Sequence, residues 1–341
     1  MTAPGKQMNV LWIMTDQHWA DCLGCMVHPV VQTPHLDAVA REGVVFENAF
    51  CQSSVCMASR GSLFTGRYPE AIRIRGMGVL PPWEITFPEM LKREGYRTAA
   101  FGKVHLTPEQ YTRDHLESEV PVLDWRRFAD RARIPDFPHD PCKVDYGFDI
   151  HVGCDDANQG HFRRWLETRD PTLARLPSRP PTNGEPRDLY ISPYPSHSHQ
   201  TTFIAESCLD YLASRDEDAP WFAFCSFIAP HHPFEAPQDQ IDRYDVDAVP
   251  LPEPKGGVDP ATIPFPMAEA VGEMDRFPEE VQRRIVLHYL ASISLIDDAV
   301  GRLVGELERT GQLENTLVLF VADHGEFLGN HGLLRKPSLH Y

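Results

Sequence analysis

The sequence predicts an α/β fold, a doubly wound and mainly parallel sheet sandwiched by helices. Short apolar runs of strand length alternate with segments of helical period, and the runs end abruptly in polar residues. The first run, residues 9–15, is mostly apolar, as expected for a strand that is buried on both faces of a parallel sheet.

Cap and stop residues predict helices between this strand and the next one. In the first helix, Thr33 suits the N-cap, Pro34 the first helical position and Gly43 the C-terminal stop. The second helix begins at residues 86–89, whose sequence Thr-Phe-Pro-Glu has the pattern of a capping box, and it ends at Gly95.

The rest of the chain continues the alternation. The further predicted elements are a strand over residues 97–106, a helix over 204–212, a strand over 221–229, a helix over 277–310 and a strand over 316–322. Two proline-rich stretches interrupt the pattern, with seven prolines in residues 171–195 and nine in residues 230–266. Because strand and helix signals resume after each, we interpret both as ordered surface loops and residues 1–341 as one domain.

Composition and charge exclude several classes of protein. A net charge of −17 argues against nucleic-acid binding, which needs a basic surface, but an anionic small substrate can still bind in a locally basic pocket. No apolar run approaches a membrane span, and residues 10–14 are too short a run for a secretory signal. Eight irregularly spaced cysteines are typical of free thiols rather than of a disulfide framework. We therefore expect a cytoplasmic protein with neither a nucleic-acid nor a membrane partner.

Polar residues lie at or directly after the ends of four predicted strands. They are Asp16, Gln17, Lys103, His105, His231, His232, Asp323 and His324. Ligands bind beyond the carboxyl ends of strands in open α/β sheets, so these groups are expected to meet at one edge. Carboxylate, amide and imidazole groups suit a hard or borderline divalent cation, and the amide and imidazole tilt the choice slightly toward manganese over calcium. The alternative is that these residues cap loops and meet solvent.

Cys56 stands at the start of a short predicted helix, residues 57–65, which stops at Gly66. Free backbone N–H groups and the helix dipole stabilise an anion at that position. An unmodified thiolate would also gain from it, so the position alone does not identify the chemistry. The other seven cysteines are interpreted as small buried hydrophobic residues.

The sequence from Cys56 to Arg67, Cys-Met-Ala-Ser-Arg-Gly-Ser-Leu-Phe-Thr-Gly-Arg, resembles the maturation and active-site signature of the type I sulfatases. That family lies in the alkaline-phosphatase-like superfamily, which also contains phosphonate monoester hydrolases. The resemblance covers nearly the whole chain: residues 9–17, 33–43, 102–105, 229–231, 323–325 and Lys336. It implies that a maturase oxidises Cys56 to formylglycine, whose hydrate acts as the covalent nucleophile in the hydrolysis of a small-molecule sulfate ester.

The resemblance also implies a metal site. One divalent ion, Ca²⁺ or Mn²⁺ with Mg²⁺ as a third choice, would be held by Asp16, Gln17, Asp323 and His324. It would polarise the sulfate oxygens and lower the pKa of the aldehyde hydrate. Arg60, one helical turn after the nucleophile, would neutralise the nucleophile and the carboxylates of the metal site.

Four further residues receive roles from the resemblance. Lys103 and His105 would bind the sulfate and the formylglycine. His231 and Lys336 would contact the ester oxygen, one of them protonating the leaving alcohol. The second hydroxyl of the hydrate would then allow sulfate to be eliminated and the aldehyde to be restored.

Three features depart from the sulfatase pattern. Ala58 stands where the usual signature has proline, which bears on the maturase that recognises the site. The metal set, with Gln17 and His324, resembles that of the phosphonate monoester hydrolases, whereas positions 103 and 105 resemble sulfatases. The chain ends at Tyr341, and sulfatases normally continue into a smaller C-terminal subdomain, which is expected to be missing here.

Two alternatives stay open beside sulfate ester hydrolysis. One is a phosphonate monoester or phosphodiester hydrolase with the same nucleophile, and the other is a non-catalytic truncated relative. The sequence also leaves a homo-oligomer open. Asp155, Asp156, His197 and His199 either line the pocket or are solvated loop residues.

Overall fold

The computed structural model describes residues 7–74, 76, 78–81, 83–107, 146–154, 160–177, 188–214, 219–252 and 272–336. Its strands are β1 (Asn9–Asp16), β2 (Arg97–Gly102), β3 (Ile150–Gly153), β4 (Leu189–Ile191), β5 (Trp221–Pro230), β6 (Phe234–Ala236) and β7 (Thr316–Ala322). Five of them form one parallel sheet in the order β3-β2-β5-β1-β7. β4 and β6 form a second, two-stranded parallel sheet.

The helices of the described ranges are α1 (Pro34–Glu42), α2 (Cys56–Thr65), α3 (Phe87–Arg93), α4 (Gly160–Arg169), α5 (Gln200–Ser214), α6 (Gln238–Ile241) and α7 (Glu279–Arg309). Short 3₁₀ turns lie between some of the elements. Within these ranges no helix has the length and apolar character needed to cross a membrane.

The side chains of β1 alternate between two cores, one on each face of the main sheet. Leu11 and Ile13 are fully buried against residues of α5 and α7. Met14 points to the opposite face, where it packs with Phe64 of α2 and Phe224 of β5. Full burial of each such side chain contributes roughly 1.5–3 kcal/mol to stability, so both faces need a helical layer. This arrangement confirms the predicted doubly wound α/β fold.

The predicted strand over residues 97–106 is too long by four residues. β2 ends at Gly102, whose φ of +86° lies in the left-handed region. A Cβ atom on this residue would lie 2.0 Å from the carbonyl oxygen of Ser226 on β5. The two backbones can approach this closely only at glycine, and the chain leaves the sheet here.

Thr33 and Thr86 are the N-cap residues as predicted, but neither makes the expected side-chain capping bond. Thr86 does not close a capping box, because its hydroxyl donates to the carbonyl oxygen of Tyr146 at 2.7 Å. The first N–H groups of α1, on His35 and Leu36, donate instead to the carboxylate of Asp297 in α7, at 3.1 and 2.7 Å. A tertiary contact therefore replaces the local capping bond in α1, and in α3 a tertiary contact engages the hydroxyl of the N-cap residue.

Candidate active site

The carboxyl ends of neighbouring strands bring distant polar residues together. Asp16 closes β1, and its Oδ2 lies 3.1 Å from Nζ of Lys103, which follows β2. Asp323 and His324 follow β7, and His324 Nε2 lies 3.4 Å from Asp16 Oδ1. All four side chains are buried. The expected meeting of strand-end groups at one edge is therefore present.

Cys56 lies next to these strand-end residues, on the helix that packs against the face of the sheet to which Met14 points. It is the first residue of α2 and is 5% exposed. One ligand atom each from Cys56, Asp16 and His324 lie within 4.8 Å of one another. Ser59, in the same turn, donates its hydroxyl to the carbonyl oxygen of Asp323 at 2.5 Å, which joins α2 to the end of β7. The start of α2 is thus fixed against the strand ends.

Arg60 is completely buried between the two aspartates of the site. Its Nε donates to Asp323 Oδ2 at 2.8 Å, and its Nη2 lies 3.4 Å from Asp16 Oδ2. Its Nη1 donates to Ser226 Oγ at 2.9 Å and to the carbonyl oxygen of Lys103. The guanidinium therefore compensates both carboxylates and also crosslinks three strand ends.

The donor atoms in this cluster fit a divalent cation. Asp16 Oδ1 and Gln17 Oε1 are buried, and neither makes a well-formed hydrogen bond to a described residue, since the contact of Asp16 Oδ1 with His324 Nε2 is 3.4 Å long. A buried polar atom without a good hydrogen bond is costly, so two such oxygens beside one imidazole indicate a position for a ligand. Asp323 lies at the edge of this position, with its Oδ1 accepting from the Gln17 N–H at 3.0 Å and its Oδ2 held by Arg60. Carboxylate, amide oxygen and imidazole together suit calcium, manganese or magnesium.

The charges of the cluster decide its protonation. Burial favours the neutral form of Asp16, but Lys103, His231, the hydrogen bond with His324 and Arg60 outweigh it and hold the pKa well below its usual value. His105 responds in the opposite direction, because burial and the charges of Lys103 and Arg60 lower its pKa well below 6.5. The site thus keeps an ionised carboxylate next to a neutral imidazole.

His324 and Lys336 face each other above Asp16. Burial alone would lower the pKa of His324, but the carboxylates of Asp323 and Asp16 raise it to about 10. His324 Nδ1 donates to the carbonyl oxygen of Gly325 at 3.0 Å, so Nε2 is the atom directed into the site. Lys336 Nζ lies 2.9 Å from this Nε2 and 3.9 Å from Asp16 Oδ1. Only one of the two nitrogens can hold a hydrogen on the line between them, so a cation bound at Nε2 would have to displace this contact.

His231 and His232 form the rim of the cluster. Their rings stack with centroids 4.2 Å apart. His231 Nδ1 donates to the carbonyl oxygen of His232 at 2.5 Å, because a carbonyl can only accept, and this leaves Nε2 for other partners. His232 Nδ1 lies 3.1 Å from Gln17 Nε2. The resemblance gave no role to His232, yet His232 contacts a predicted metal ligand.

Comparison with known proteins agrees with this geometry. The profile of the Sulfatase family matches residues 8–341, which is nearly the full chain. The chain belongs to the sulfatase family. Among its sulfatase relatives, the arylsulfatase of Clostridium perfringens (strain 13 / Type A) is 29% identical over 344 residues, which cover 96% of this chain and 65% of that protein. The ulvan-active sulfatase of Formosa agariphila is 31% identical over 326 residues, covering 94% of this chain and 51% of that protein.

Solved structures extend the sulfatase comparison to a neighbouring group. The phosphonate monoester hydrolase of Agrobacterium radiobacter superimposes with a TM-score of 0.76 at 25% identity, covering 96% of this chain and 64% of that one. The chain thus spans between about half and two thirds of the length of these relatives. The superposition supports the alkaline-phosphatase-like fold.

The four loop candidates from the sequence have different positions. His197 is exposed. His199 is buried and lines a cleft together with His231 and His232, and its Nε2 lies 2.7 Å from Glu235 Oε1. The candidates Asp155 and Asp156 lie outside the described residues.

Two residues of the site were missed from the sequence. Ser226 binds Arg60, and a serine in the otherwise apolar run of β5 was its only signal. Glu326 accepts a hydrogen bond from Gln17 Nε2 and is 5% exposed. Its signal was its place in the sequence Asp-His-Gly-Glu directly after β7. Neither residue type indicates a role without its partner in space.

Proposed function

We propose that residues 1–341 form a sulfatase-like catalytic domain that hydrolyses a sulfate ester to an alcohol and inorganic sulfate. The observation that carries this proposal is the position of Cys56. It begins α2 within 4.8 Å of ligand atoms of Asp16 and His324, and two buried cations, Arg60 and Lys103, stand beside them. A nucleophile, a cation site and positive charge for an anionic ester are thus combined in one place.

Asp16, Gln17, Asp323 and His324 would hold one divalent cation, Ca²⁺, Mn²⁺ or Mg²⁺. When bound, it would polarise the sulfate oxygens and lower the pKa of the attacking hydroxyl. Oxidation of the Cys56 side chain to formylglycine would supply that hydroxyl as an aldehyde hydrate. Arg60 compensates the charges of the two aspartate carboxylates and keeps the start of α2 in place.

The remaining polar side chains can bind the sulfate and assist the leaving alcohol. Lys103 contributes a buried positive charge, and His105 Nδ1 is buried with no hydrogen-bond partner among the described residues. Both are therefore suited to bind sulfate oxygens. His231 and Lys336 are the candidates to protonate the ester oxygen. In His231 it is Nδ1 that bonds to the carbonyl oxygen of His232, so Nε2 is the atom that would face the ester.

A cleft next to His231 and His232 offers room for the alcohol part of the ester. Tyr190, Tyr194, His199 and Glu235 line its other walls. The cleft shares the two histidines with the cluster, so an ester oxygen near His231 would place its substituent there. This mixture of aromatic and polar walls suits a small-molecule substrate.

The test is to express the chain with a formylglycine-generating maturase and to measure hydrolysis of an aryl sulfate. Peptide mass spectrometry across Cys56 should show a loss of roughly 18 Da. Cys56→Ala should abolish turnover, whereas Cys51→Ala, at an exposed cysteine nearby, should leave it unchanged. Conversion without sulfatase activity, or equal activity in Cys56→Ala, would refute the proposal.

The second candidate is hydrolysis of a phosphonate monoester or phosphodiester by the same nucleophile. The superposition on the phosphonate monoester hydrolase of Agrobacterium radiobacter favours it. A relative from Trinickia caryophylli, named a multifunctional alkaline phosphatase superfamily protein, is 27% identical over 352 residues. Parallel rates on 4-nitrophenyl sulfate, phenylphosphonate and a phosphodiester decide between the two, since a dominant diester rate would replace the sulfatase assignment.

We also propose a cytoplasmic location. The cysteines in the described ranges are all free thiols, which supports a reducing compartment. Fractionation of cells that express the tagged chain tests this location, and recovery in an oxidising compartment would contradict it.

A further inference from the structure

Glu326 is a buried carboxylate that lies behind the cation site, not inside it. It follows β7 by four residues and is 5% exposed. Its Oε2 accepts from Gln17 Nε2, and its Oε1 accepts from the backbone N–H groups of Leu328 and Arg335 at 2.8 and 2.5 Å. Burying a carboxylate is costly, and three donors offset that cost. Two of the three donors belong to the segment that leads to Lys336.

The Gln17 side chain has both of its amide hydrogens engaged. One is donated to Glu326 Oε2 and the other to His232 Nδ1 at 3.1 Å. The Oε1 atom of the same amide is buried without a partner among the described residues. Because both acceptors lie on the nitrogen side, the amide oxygen is directed away from Glu326 and His232.

The backbone of Gln17 is held as firmly as its amide. Its N–H donates to Asp323 Oδ1 at 3.0 Å, and its carbonyl oxygen accepts from the Tyr289 hydroxyl at 2.7 Å. Its φ of +64° lies in the left-handed region, which a residue with a side chain adopts only when its surroundings impose it. With the backbone fixed, the remaining freedom of the side chain is a half-turn of the amide.

A half-turn of the amide would exchange oxygen and nitrogen with almost no change of shape. The flipped amide would present two hydrogens to a cation and would face its oxygen toward Glu326. Both contacts would be repulsive. A negative acceptor behind the amide is therefore sufficient to select one of two isosteric orientations.

We propose that Glu326 is a positioning residue for the cation site. It selects the orientation in which the Gln17 amide oxygen is directed at the cation, and through the Arg335 N–H it fixes the segment that carries Lys336. The proposal rests on the cation site of the proposed function. It adds a residue whose effect is exerted through Gln17 and not through contact with the cation.

The test uses the isosteric variant E326Q and the reversed pair Q17E/E326Q. In E326Q the new amide can still accept from the two backbone N–H groups, but its NH₂ group faces that of Gln17 and drives the Gln17 amide to flip. Calorimetric titration with Mn²⁺ should then show an affinity at least about tenfold weaker, in the range found for residues that orient metal ligands. In the reversed pair, the carboxylate at position 17 accepts from the amide at position 326 and keeps an oxygen toward the cation. The affinity should therefore return to within about threefold of the original.

A purely structural role of Glu326 would give a different pattern. In that case E326Q would lower the melting temperature of the metal-free protein without changing Mn²⁺ affinity. Adding Q17E to E326Q would not restore the melting temperature. Q17E alone should lower the metal-free melting temperature, since two carboxylates would face each other. E84Q, which changes a buried glutamate that pairs with Arg67, is the matched control and should leave Mn²⁺ affinity unchanged.

The outcomes separate this proposal from the cation site itself. If the original chain binds Mn²⁺ and E326Q binds it equally well, the positioning role is refuted and the cation site stands. If the original chain does not bind Mn²⁺, Ca²⁺ or Mg²⁺, the cation site is refuted and the positioning role with it. Neither result depends on the conversion of Cys56, because binding is measured without turnover.

Discussion

Replacing Arg60 by methionine should destabilise the metal-free protein strongly. The variant keeps an unbranched side chain of similar length but removes the partner of Asp323 Oδ2, at 2.8 Å, and of Asp16 Oδ2, at 3.4 Å. Both carboxylates are fully buried. Breaking a buried ion pair by removing one partner costs about 3–5 kcal/mol.

This free energy converts into a shift of melting temperature. An unfolding entropy of about 2.1 cal/mol/K per residue gives roughly 0.7 kcal/mol/K for a chain of this length, so the loss corresponds to about 4–7 °C. Thermal unfolding in EDTA measures it. Addition of Mn²⁺ should recover part of the loss, because a bound cation compensates the same two carboxylates.

Arg163→Met is the matched control for this experiment. Arg163 is half exposed and pairs with Glu167 one turn further along α4, at 3.0 Å. Surface pairs of this kind contribute little, so the control should melt within about 1 °C of the original chain. If the melting temperature of Arg60→Met in EDTA decreases by less than about 2 °C, the view that Arg60 compensates the buried aspartates is refuted.

Mn²⁺ must displace a proton held at His324, whose pKa Asp323 and Asp16 raise to about 10 against the effect of burial. Affinity should therefore rise up to about tenfold per pH unit between pH 7 and 9, and a flat calorimetric profile would contradict this. Burial lowers the pKa of His288 to about 4, so this residue is neutral when folded but gains a proton on unfolding below pH 6.5. Protonation of His288 on unfolding should lower the free energy of unfolding by roughly 3 kcal/mol as the pH decreases from 6.5 to 4. Denaturation of His288→Gln should show a pH dependence that is smaller by this amount. Gly102→Ala would place a Cβ atom 2.0 Å from Ser226 O, whereas Gly66→Ala meets nothing within 4 Å at a similar positive φ. The first should therefore melt well below the second, and equal melting temperatures would refute the close approach.

The sheet could be predicted because the residue composition of its long strands reflects their burial. β1, β5 and β7 are runs of strand length with few polar residues, as burial on both faces requires for β1 and β5, whereas β7 is at the edge of the described sheet and exposes Leu317 and Leu319. β4 and β6, with three residues each, were not predicted. They pair only with each other, and three residues carry too little periodicity to show a strand.

The site was predictable to the extent that strand ends and Cys56 identify it. Asp16, Lys103, Asp323 and His324 could be grouped because parallel strands end at one edge. Ser226 and Glu326 could not, because their roles depend on which hydrogen bond each makes. The capping bonds could not be predicted for the same reason: the carboxylate that binds the N-terminus of α1 is Asp297, over two hundred residues away in the sequence.

Helix α7 anchors two distant parts of the molecule at once. Tyr289 holds the carbonyl oxygen of Gln17, and Asp297 holds the first N–H groups of α1. One residue inserted between Tyr289 and Asp297 would rotate the rest of the helix by about 100° and advance it by about 1.5 Å, so one anchor would be lost. Over evolutionary time, loops of this chain can change in length, but residues 289–297 can change only in composition.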